Sequence, residues 1–399
     1  KSEVERFAPV LPVYAAAGGA GERKQLLEQA AREKKGVIIT SYELLRRDID
    51  IYTGMDFACE VIDEAQFIKN HSTQAARAVK QVPAGFRLAL TGTPVENRLS
   101  ELWSIFDYLM PGFLFSYSRF REEMETPIVS REDEETAVRL HKMIRPFVLR
   151  RLKKDVLTDL PDKIEKPMMA VMEGEQSSLY DAHVQRLIAV LTKQTDQEFA
   201  GTQIQVLSEL TKLRQICCDL GLLFDGYEGD SAKTRLCMEL IRNAAEGGHK
   251  VLLFSQFTSM LERLKSALAK EKISYYTLDG STPKVRRLEL VESFNKDDTQ
   301  VFCISLKAGG TGLNLTAADI VIHFDPWWNV AVQNQATDRA HRIGQRNVVT
   351  VYKLIAKGTI EEKITALQEK KKALADSILG GEEMGRASFT REELMEILK

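Results

Sequence analysis

Residues 58–66 read A-C-E-V-I-D-E-A-Q, a hydrophobic strand pattern that stops on two adjacent carboxylates, Asp63 and Glu64. Leu88 to Leu90 is a second short run of this kind and ends in Thr91-Gly92-Thr93-Pro94. Val37 to Thr40 (V-I-I-T) precedes both and leads into S-Y-E-L-L-R-R, a helix start. Strand, polar turn and helix, repeated at short spacing, is the pattern of a parallel α/β sheet. In such sheets ligands sit beyond the carboxyl ends of the strands, where both polar turns fall. Two readings of Asp63-Glu64 stand open. An acidic pair after a strand caps the next helix. Alternatively, one carboxylate holds a hydrated Mg²⁺, and the other orients and deprotonates an attacking water.

A second block of the same plan begins at Val251 to Phe254 (V-L-L-F), which ends in Ser255-Gln256-Phe257. Further strand patterns are Tyr275 to Leu278, Val301 to Ile304, Ile320 to Phe324 and Val348 to Leu354. The third strand of this block runs into S-L-K-A-G-G-T-G-L-N-L and the fourth into D-P-W-W-N. Between the blocks, from Ser100 to about Asp230, helical periodicity dominates, as in E-L-W-S-I-F-D-Y-L-M and S-E-L-T-K-L-R-Q-I. We read that span as an all-helical insertion with a basic connector at Arg150 to Asp155 and a linker at Asp225 to Asp230. Thr359-Ile360-Glu361-Glu362 is a capping box. It opens a long helix to about Leu379, with Ile360, Ile364, Leu367, Leu374 and Ile378 on one stripe, and Gly380-Gly381 stops it.

Gln335 to Gln345, Q-A-T-D-R-A-H-R-I-G-Q, follows the fourth strand of the second block. If it is helical, a spacing of three puts Arg339 and Arg342 on one face. Two guanidinium forks so placed reach different oxygens of a phosphate chain. The same pair on a solvated helix would simply bind Asp338. The glycines Gly18, Gly19 and Gly21 are a plain turn, because a phosphate loop needs G-x-x-x-x-G-K-[ST] and the chain has no Gly-Lys dipeptide.

At 399 residues and 44% hydrophobic, two or three domains with ordinary cores are expected. A formal net charge of -2 gives no general attraction to polyanions, so a nucleic-acid surface would have to be local. No apolar run is long enough for a membrane span, and the N-terminus has no signal-peptide pattern. An intracellular protein is expected, in cytoplasm or nucleoid if bacterial and in the nucleus if eukaryotic. The five cysteines form no C-x-x-C pair, which argues for reduced thiols and against structural zinc.

V-I-D-E-A-Q-F-I-K-N, L-T-G-T-P-V-E-N, L-K-A-G-G-T-G-L-N-L and Q-A-T-D-R-A-H-R-I-G-Q, in this order, resemble the Swi/Snf family of helicase-like DNA-dependent ATPases of helicase superfamily two. F-V-L-R-R-L-K-K-D-V from Phe147, L-R-Q-I-C from Leu213 and V-L-L-F-S-Q-F from Val251 extend the resemblance over essentially the whole chain. It implies two RecA-like parallel-sheet lobes, the first truncated, with a helical insertion between them and ATP held between the lobes. The first lobe would cover residues 1–98, helical protrusions and connector 99–230, the second lobe 231–372, and C-terminal bracing helices 373–399. By the motif match Asp63 coordinates Mg²⁺, Glu64 activates water, Arg339 and Arg342 act as arginine fingers and Gln345 senses the nucleotide. Gly310, Gly312 and Gln335 would line the nucleotide, while Gly92 and Thr93 would couple nucleotide state to DNA. Double-stranded DNA would be met by Thr40, Ser41, Thr93, Ser255, Gln256, Ser281, Lys307, Thr311 and Trp328. Small hydroxyl residues and glycines at such positions let backbone N–H groups approach phosphates without reading bases.

The resemblance has gaps. Val330 stands where the family usually has proline, and C-C-D-L follows L-R-Q-I where an N-H-P-like turn is usual. Trp327 and Trp328 resemble the family's W-W-N-P element, and we read one as buried and the other exposed. The family's Walker A loop and adenine-contacting element have no counterpart. The chain is therefore expected to be the C-terminal part of a longer protein, to bind ATP weakly or not at all, and to be inactive alone. Uncovered apolar surface on the first lobe makes a dimer through that lobe an expectation too. The expected function is part of an ATP-driven double-stranded-DNA translocase that remodels protein–DNA complexes. A strand-separating DNA or RNA helicase and a non-catalytic DNA-binding module are the alternatives.

Overall fold

The computed structural model of the chain describes residues 1–91, 99–131, 133–151, 153–157, 159–193, 196–227, 229, 231–309, 313–327, 330–366 and 398. They fall into two compact units, one within Lys1–Arg145 and one within Pro146–Ala373.

In the first unit, β1 (Val13–Ala15) pairs in parallel with β2 (Val37–Ile39). The strands β3 (Phe57–Ile62) and β4 (Ala84–Ala89) form a second parallel pair, with Glu60 beside Arg87 and Ile62 beside Ala89. The crossover between β3 and β4 carries the helix Gln74–Gln81, capped by the Thr73 hydroxyl accepting from the Ala76 N–H at 3.2 Å. Ile62, Ala65, Ile68, Val79, Ile105 and Tyr108 share one buried core. Among the described residues, Val61, Phe86 and Leu88 on the other face of the β3–β4 pair are exposed, as is Leu90 just after β4. Period-two alternation thus splits this pair into a dry face and an open apolar face.

The second unit holds a six-stranded parallel sheet in the order β5-β10-β9-β6-β8-β7. Its strands are β5 (Lys163–Ala170), β6 (Val251–Ser255), β7 (Tyr275–Leu278), β8 (Val301–Ser305), β9 (Ile320–His323) and β10 (Val349–Ala356). Every residue of β6 and β8 is buried. Helices cover both faces there, which is why V-L-L-F and V-F-C-I read as unbroken apolar runs. Ala232–Glu246 and Thr258–Lys270 pack on one face through Ile241, Leu261 and Leu264. Lys284–Lys296 and Val330–Thr337 pack on the other through Phe294 and Ala336.

The span 99–230 is mainly helical but contributes β5, which pairs with β10 from Lys163 beside Val349 to Ala170 beside Ala356. K-I-E-K-P-M-M-A gives no apolar run because it is an edge strand. One side of it stays unpaired, where charges and Pro167 are tolerated. The long helices Gly174–Lys193 and Asp196–Cys218 share a core with Ile360 and Ile364. Residues 360–366 are helical, as the capping box requires. The box is offset by one, with Glu362 accepting from the Gly358 N–H at 2.9 Å and Thr359 from the Glu361 N–H at 3.2 Å. Leu367, Leu374, Ile378 and Gly380-Gly381 lie outside the described residues. Among the described residues no helix is long and apolar enough to cross a membrane.

Each unit holds a titratable carboxylate out of water, Glu361 in the second and half-buried Glu60 in the first. Lys233, fully buried, donates to both carboxylate oxygens of Glu361 at 2.8 Å, and Glu361 also accepts from the Ala356 N–H at 2.8 Å. Lys233→Met would strand a buried carboxylate, so unfolding in urea should show a loss of about 3–5 kcal/mol. Lys233→Met combined with Glu361→Gln should recover most of that loss, and a double variant as weak as the single one would mean the pair itself is the stabiliser. In the first unit, burial pushes the Glu60 carboxyl up to about 7, although Arg87 lies 3.5 Å away and opposes the shift. The folded chain then keeps a proton that a free glutamate, at 4.5, has released. This group's contribution to stability falls as pH rises from the free value to the folded one. Glu60→Gln should flatten that part of a stability profile measured from pH 5 to 8, and an unaltered slope would refute the assignment.

Candidate active site and nucleic-acid interface

Asp63 follows β3 directly and is exposed, its Oδ1 accepting from the Glu64 N–H at 2.8 Å. Glu64 adopts φ 52° and ψ 52°. A non-glycine residue in the left-handed region costs on the order of 1–3 kcal/mol and persists only where its surroundings fix it. Here the chain on either side is tied to the neighbouring strand end, Ala65 N–H donating to Leu90 O at 2.9 Å and Leu90 N–H to Ile62 O at 2.8 Å. Glu64 occupies the cap position of the 3₁₀ turn Ala65–Ile68 without a side-chain capping bond. The helix-cap reading of the acidic pair therefore does not hold.

The Gln66 amide joins the two polar turns. Its Nε2 donates to Glu64 Oε2 at 2.6 Å, and its Oε1 accepts from the Thr91 hydroxyl at 2.9 Å. Gly92 and Thr93 lie outside the described residues. Tyr42 adds a third segment, its hydroxyl donating to the Asp63 carbonyl at 2.7 Å. Burial, with Asp63, Glu60 and Glu64 adding to it, drives that phenol above its ordinary range. Thr40 is half-buried. The Ser41 hydroxyl caps the helix Tyr42–Arg47 by accepting from the Leu44 N–H at 3.3 Å. Among the described residues no three acidic, histidine or cysteine side chains gather as a metal cluster. A single exposed carboxylate suits Mg²⁺, which keeps most of its waters and shares phosphate oxygens.

The arginine segment departs from the sequence reading. The helix Val330–Thr337 ends before both arginines, which sit in tight turns. Arg339 and Ala340 donate to carbonyls three residues back, Ala336 at 3.1 Å and Thr337 at 3.1 Å, and Gly344 takes φ 104°. Leu315 N–H donates to Arg339 O at 3.0 Å, and His323 Nε2 meets the Thr337 hydroxyl at 2.8 Å. These ties pull the chain out of its helix. Arg339 is buried, contrary to any solvent-facing expectation. Arg342 is half-buried and donates from Nη1 to Leu313 O at 3.3 Å. Asp338 is claimed by Lys153 at 2.6 Å, and the same ammonium donates to His341 O at 3.2 Å. His341 Nε2 donates to Pro161 O at 2.8 Å, so Lys153 of the basic connector and Pro161 beyond it both hold the arginine turn. Buried Gln345 donates from Nε2 to Ala318 O and Ala340 O and accepts at Oε1 from the Arg346 and Asn347 N–H groups. Its whole hydrogen-bonding capacity serves the turn.

Elsewhere in this unit Ser255 is fully buried and donates to Asp325 Oδ1 at 2.5 Å. Its side chain therefore serves the loop, and any approach to phosphate at this position is through backbone. Gln256 is half-buried, with its N–H 3.3 Å from Asp325. Ser281 donates through N–H and hydroxyl to Asp279 Oδ1 at 2.9 and 2.6 Å, and these bonds hold the Asp279 carboxyl below its ordinary range. Lys307 lies on the short helix Leu306–Gly309, with its side chain outside the described residues. Gln335 is half-buried on Val330–Thr337. Trp327 is partly buried against the β8–β9 core. Gly310, Thr311, Gly312 and Trp328 lie outside the described residues.

The profile of the SNF2-related domain matches residues 1–222, and that of the helicase conserved C-terminal domain matches residues 232–344. The chain belongs to the SNF2-related family. An "uncharacterized ATP-dependent helicase" of Mycoplasma pneumoniae is 39% identical over 403 residues, covering 100% of this chain and 38% of that protein. The "putative ATP-dependent helicase/translocase YwqA" of Bacillus subtilis is 40% identical, covering 95% of this chain and 42% of that protein. "TATA-binding protein-associated factor MOT1" of Saccharomyces cerevisiae is 33% identical, covering 100% of this chain and 24% of that protein. The solved "Sulfolobus solfataricus SWI2/SNF2 ATPase core domain" is 36% identical with a TM-score of 0.50, covering 99% of this chain and 80% of that one. The parallel sheet of the second unit agrees with the RecA-like lobes of an SNF2 ATPase core. The chain spans about two fifths of the length of the bacterial relatives.

Sequence reasoning on this SNF2 chain missed Gln66 as a bridge, Tyr42 as a prop and Lys153 as a clamp. The V-I-D-E-A-Q and L-T-G-T-P motifs held a usable signal, since an amide beside one and a hydroxyl opening the other are natural partners. Gln66→Leu leaves Glu64 and Thr91 each without this partner, at about 1–3 kcal/mol apiece. Urea unfolding of the first unit should shift by that order, with faster amide exchange at residues 65–67. Unchanged exchange there would show that the bridge does not hold the turn.

Proposed function

We propose that this chain is part of the motor of an ATP-dependent double-stranded-DNA translocase that displaces or remodels proteins on DNA. The observation that carries the reading is the left-handed Glu64 turn at the carboxyl end of β3, tied through Gln66 to Thr91. It keeps an exposed carboxylate and a strained, hydrogen-bonded one side by side on one hydrogen-bonded turn. The names of the bacterial relatives, both ATP-dependent helicases, and that of the TATA-binding protein-associated factor support the same class of activity.

In this reading Asp63 holds Mg²⁺, which supplies charge neutralisation at the phosphates. Glu64 accepts the proton of the attacking water, and Gln66, bonded to its Oε2, fixes that carboxylate's orientation. Arg339 and Arg342 stabilise charge on the γ-phosphate in the transition state. Gln345 acts on them through the turn it fastens, so any response to nucleotide passes through that backbone. Gln335, Gly310 and Gly312 remain the proposed lining of the nucleotide. Thr40, Ser41, Thr93, Ser255, Gln256, Ser281, Lys307, Thr311 and Trp328 remain the proposed track along the duplex.

The test is DNA-stimulated phosphate release by the full-length protein. Glu64→Gln, Arg339→Ala and Arg342→Ala should each lower kcat, the arginine variants by about 10³- to 10⁵-fold, with duplex affinity retained. Activity within tenfold of wild type in the Arg339 and Arg342 variants would overturn their assignment. The 399-residue chain, which has no Gly-Lys dipeptide, should release phosphate only at background. A duplex-unwinding assay divides the translocase from a strand-separating helicase, the translocase leaving the strands paired while it hydrolyses ATP.

A further inference from the structure

Arg214 is the charged side chain in the helical insertion with the most unusual surroundings. It lies near the C-terminal end of the helix Asp196–Cys218 and is 3% exposed. Its guanidinium donates from Nη1 to Gln256 Oε1 at 3.1 Å and from Nη2 to Pro326 O at 2.5 Å, with Asp325 Oδ2 at 3.9 Å. The rings of Phe257 and Trp327 lie 5.7 and 5.4 Å from its centre. One planar fork therefore touches residues 256–257 after β6 and residues 325–327 after β9. Those strands are neighbours in the sheet. Asp325 completes the joint, accepting from the Ser255 hydroxyl and the Gln256 N–H.

We propose that Arg214 is a positioning residue that locks the β6 and β9 strand-end loops into a single backbone surface for duplex phosphates, so that the helical insertion sets the shape of the DNA track. This rests on the DNA reading above. Arg214 is too enclosed to touch the duplex itself. It acts by holding Gln256 and the Pro326-Trp327 backbone. A fork with two aligned donors and two stacking faces does this, whereas lysine offers a point charge with no plane.

The test uses the 399-residue chain and a fluorescent duplex, with affinity read by anisotropy across a salt series. Arg214→Lys keeps the charge and loses the fork. Arg214→Met with Asp325→Asn removes both buried charges, which guards against simple unfolding, and thermal unfolding near wild type certifies that it is folded. Both variants should bind the duplex about tenfold more weakly, the usual size of effect for a lost supporting contact. Amide exchange at residues 255–257 and 325–327 should rise. The salt dependence should keep its slope, because no phosphate-contacting cation is removed. A folded double variant with wild-type affinity overturns the proposal. So does a slope reduced by about one, which would make Arg214 itself a phosphate contact. A wild-type chain with no duplex affinity overturns the DNA reading instead, and this assignment falls with it.

Discussion

Burying both faces of a parallel sheet is the constraint from which the second unit follows. Strands β6 and β8 have no solvated face, so each must be apolar throughout and each face needs helices. Parallel strands under such layers all end at the same rim. Ser255 ends β6 there, and Asp279, Leu306 and Asp325 come just after β7, β8 and β9. A hydroxyl, an Asx turn, a short helix and a buried carboxylate are four ways of finishing a strand. At three of them the side chain is spent inside the fold, Ser255 on Asp325, Asp279 on Ser281 and Thr282, and Asp325 on Ser255 and Gln256.

This division of labour explains which residues were legible. Apolar runs such as V-L-L-F declare themselves because burial on both faces removes every polar interruption. The strand β5 does not, because its lysines, Glu165 and Pro167 answer to an open edge. The acidic turn was legible as a polar strand end, since two adjacent carboxylates close an apolar run. Its left-handed backbone was not, because it depends on hydrogen bonds to Leu90, far along the chain. The arginine spacing invited a helix, yet contacts from Leu315, His323 and the connector decide the local shape. Ser255 and Gln345 have the residue types of a ligand contact but spend their side chains on structure. Periodicity carries information about neighbours three or four residues away and none about partners a hundred away.

Two buried charged pairs of the second unit act as joints. Lys233 and Glu361 fasten the start of the helix 360–366 to the helix Ala232–Glu246, a joint between pieces with no exposed role. Arg214 and Asp325 do the same between two loops at the rim. Burial pushes the Asp325 carboxyl up, against the pull of Arg214 and Lys233. An apolar replacement would keep either site packed. What it would lose is direction, since only the charged pairs fix which loop conformation is joined to which helix.

The bare face of the β3–β4 pair has a mechanical meaning. A sheet clamped between two layers resists bending, whereas among the described residues this one is backed on one face, by the core of Ile62, Val79 and Tyr108. A two-stranded sheet without a second layer opens locally at low cost. The acidic turn at its end is therefore stiff in its bond geometry but mounted on a compliant support, and its position relative to any bound phosphate is set by whatever comes to lie against Val61, Phe86, Leu88 and Leu90.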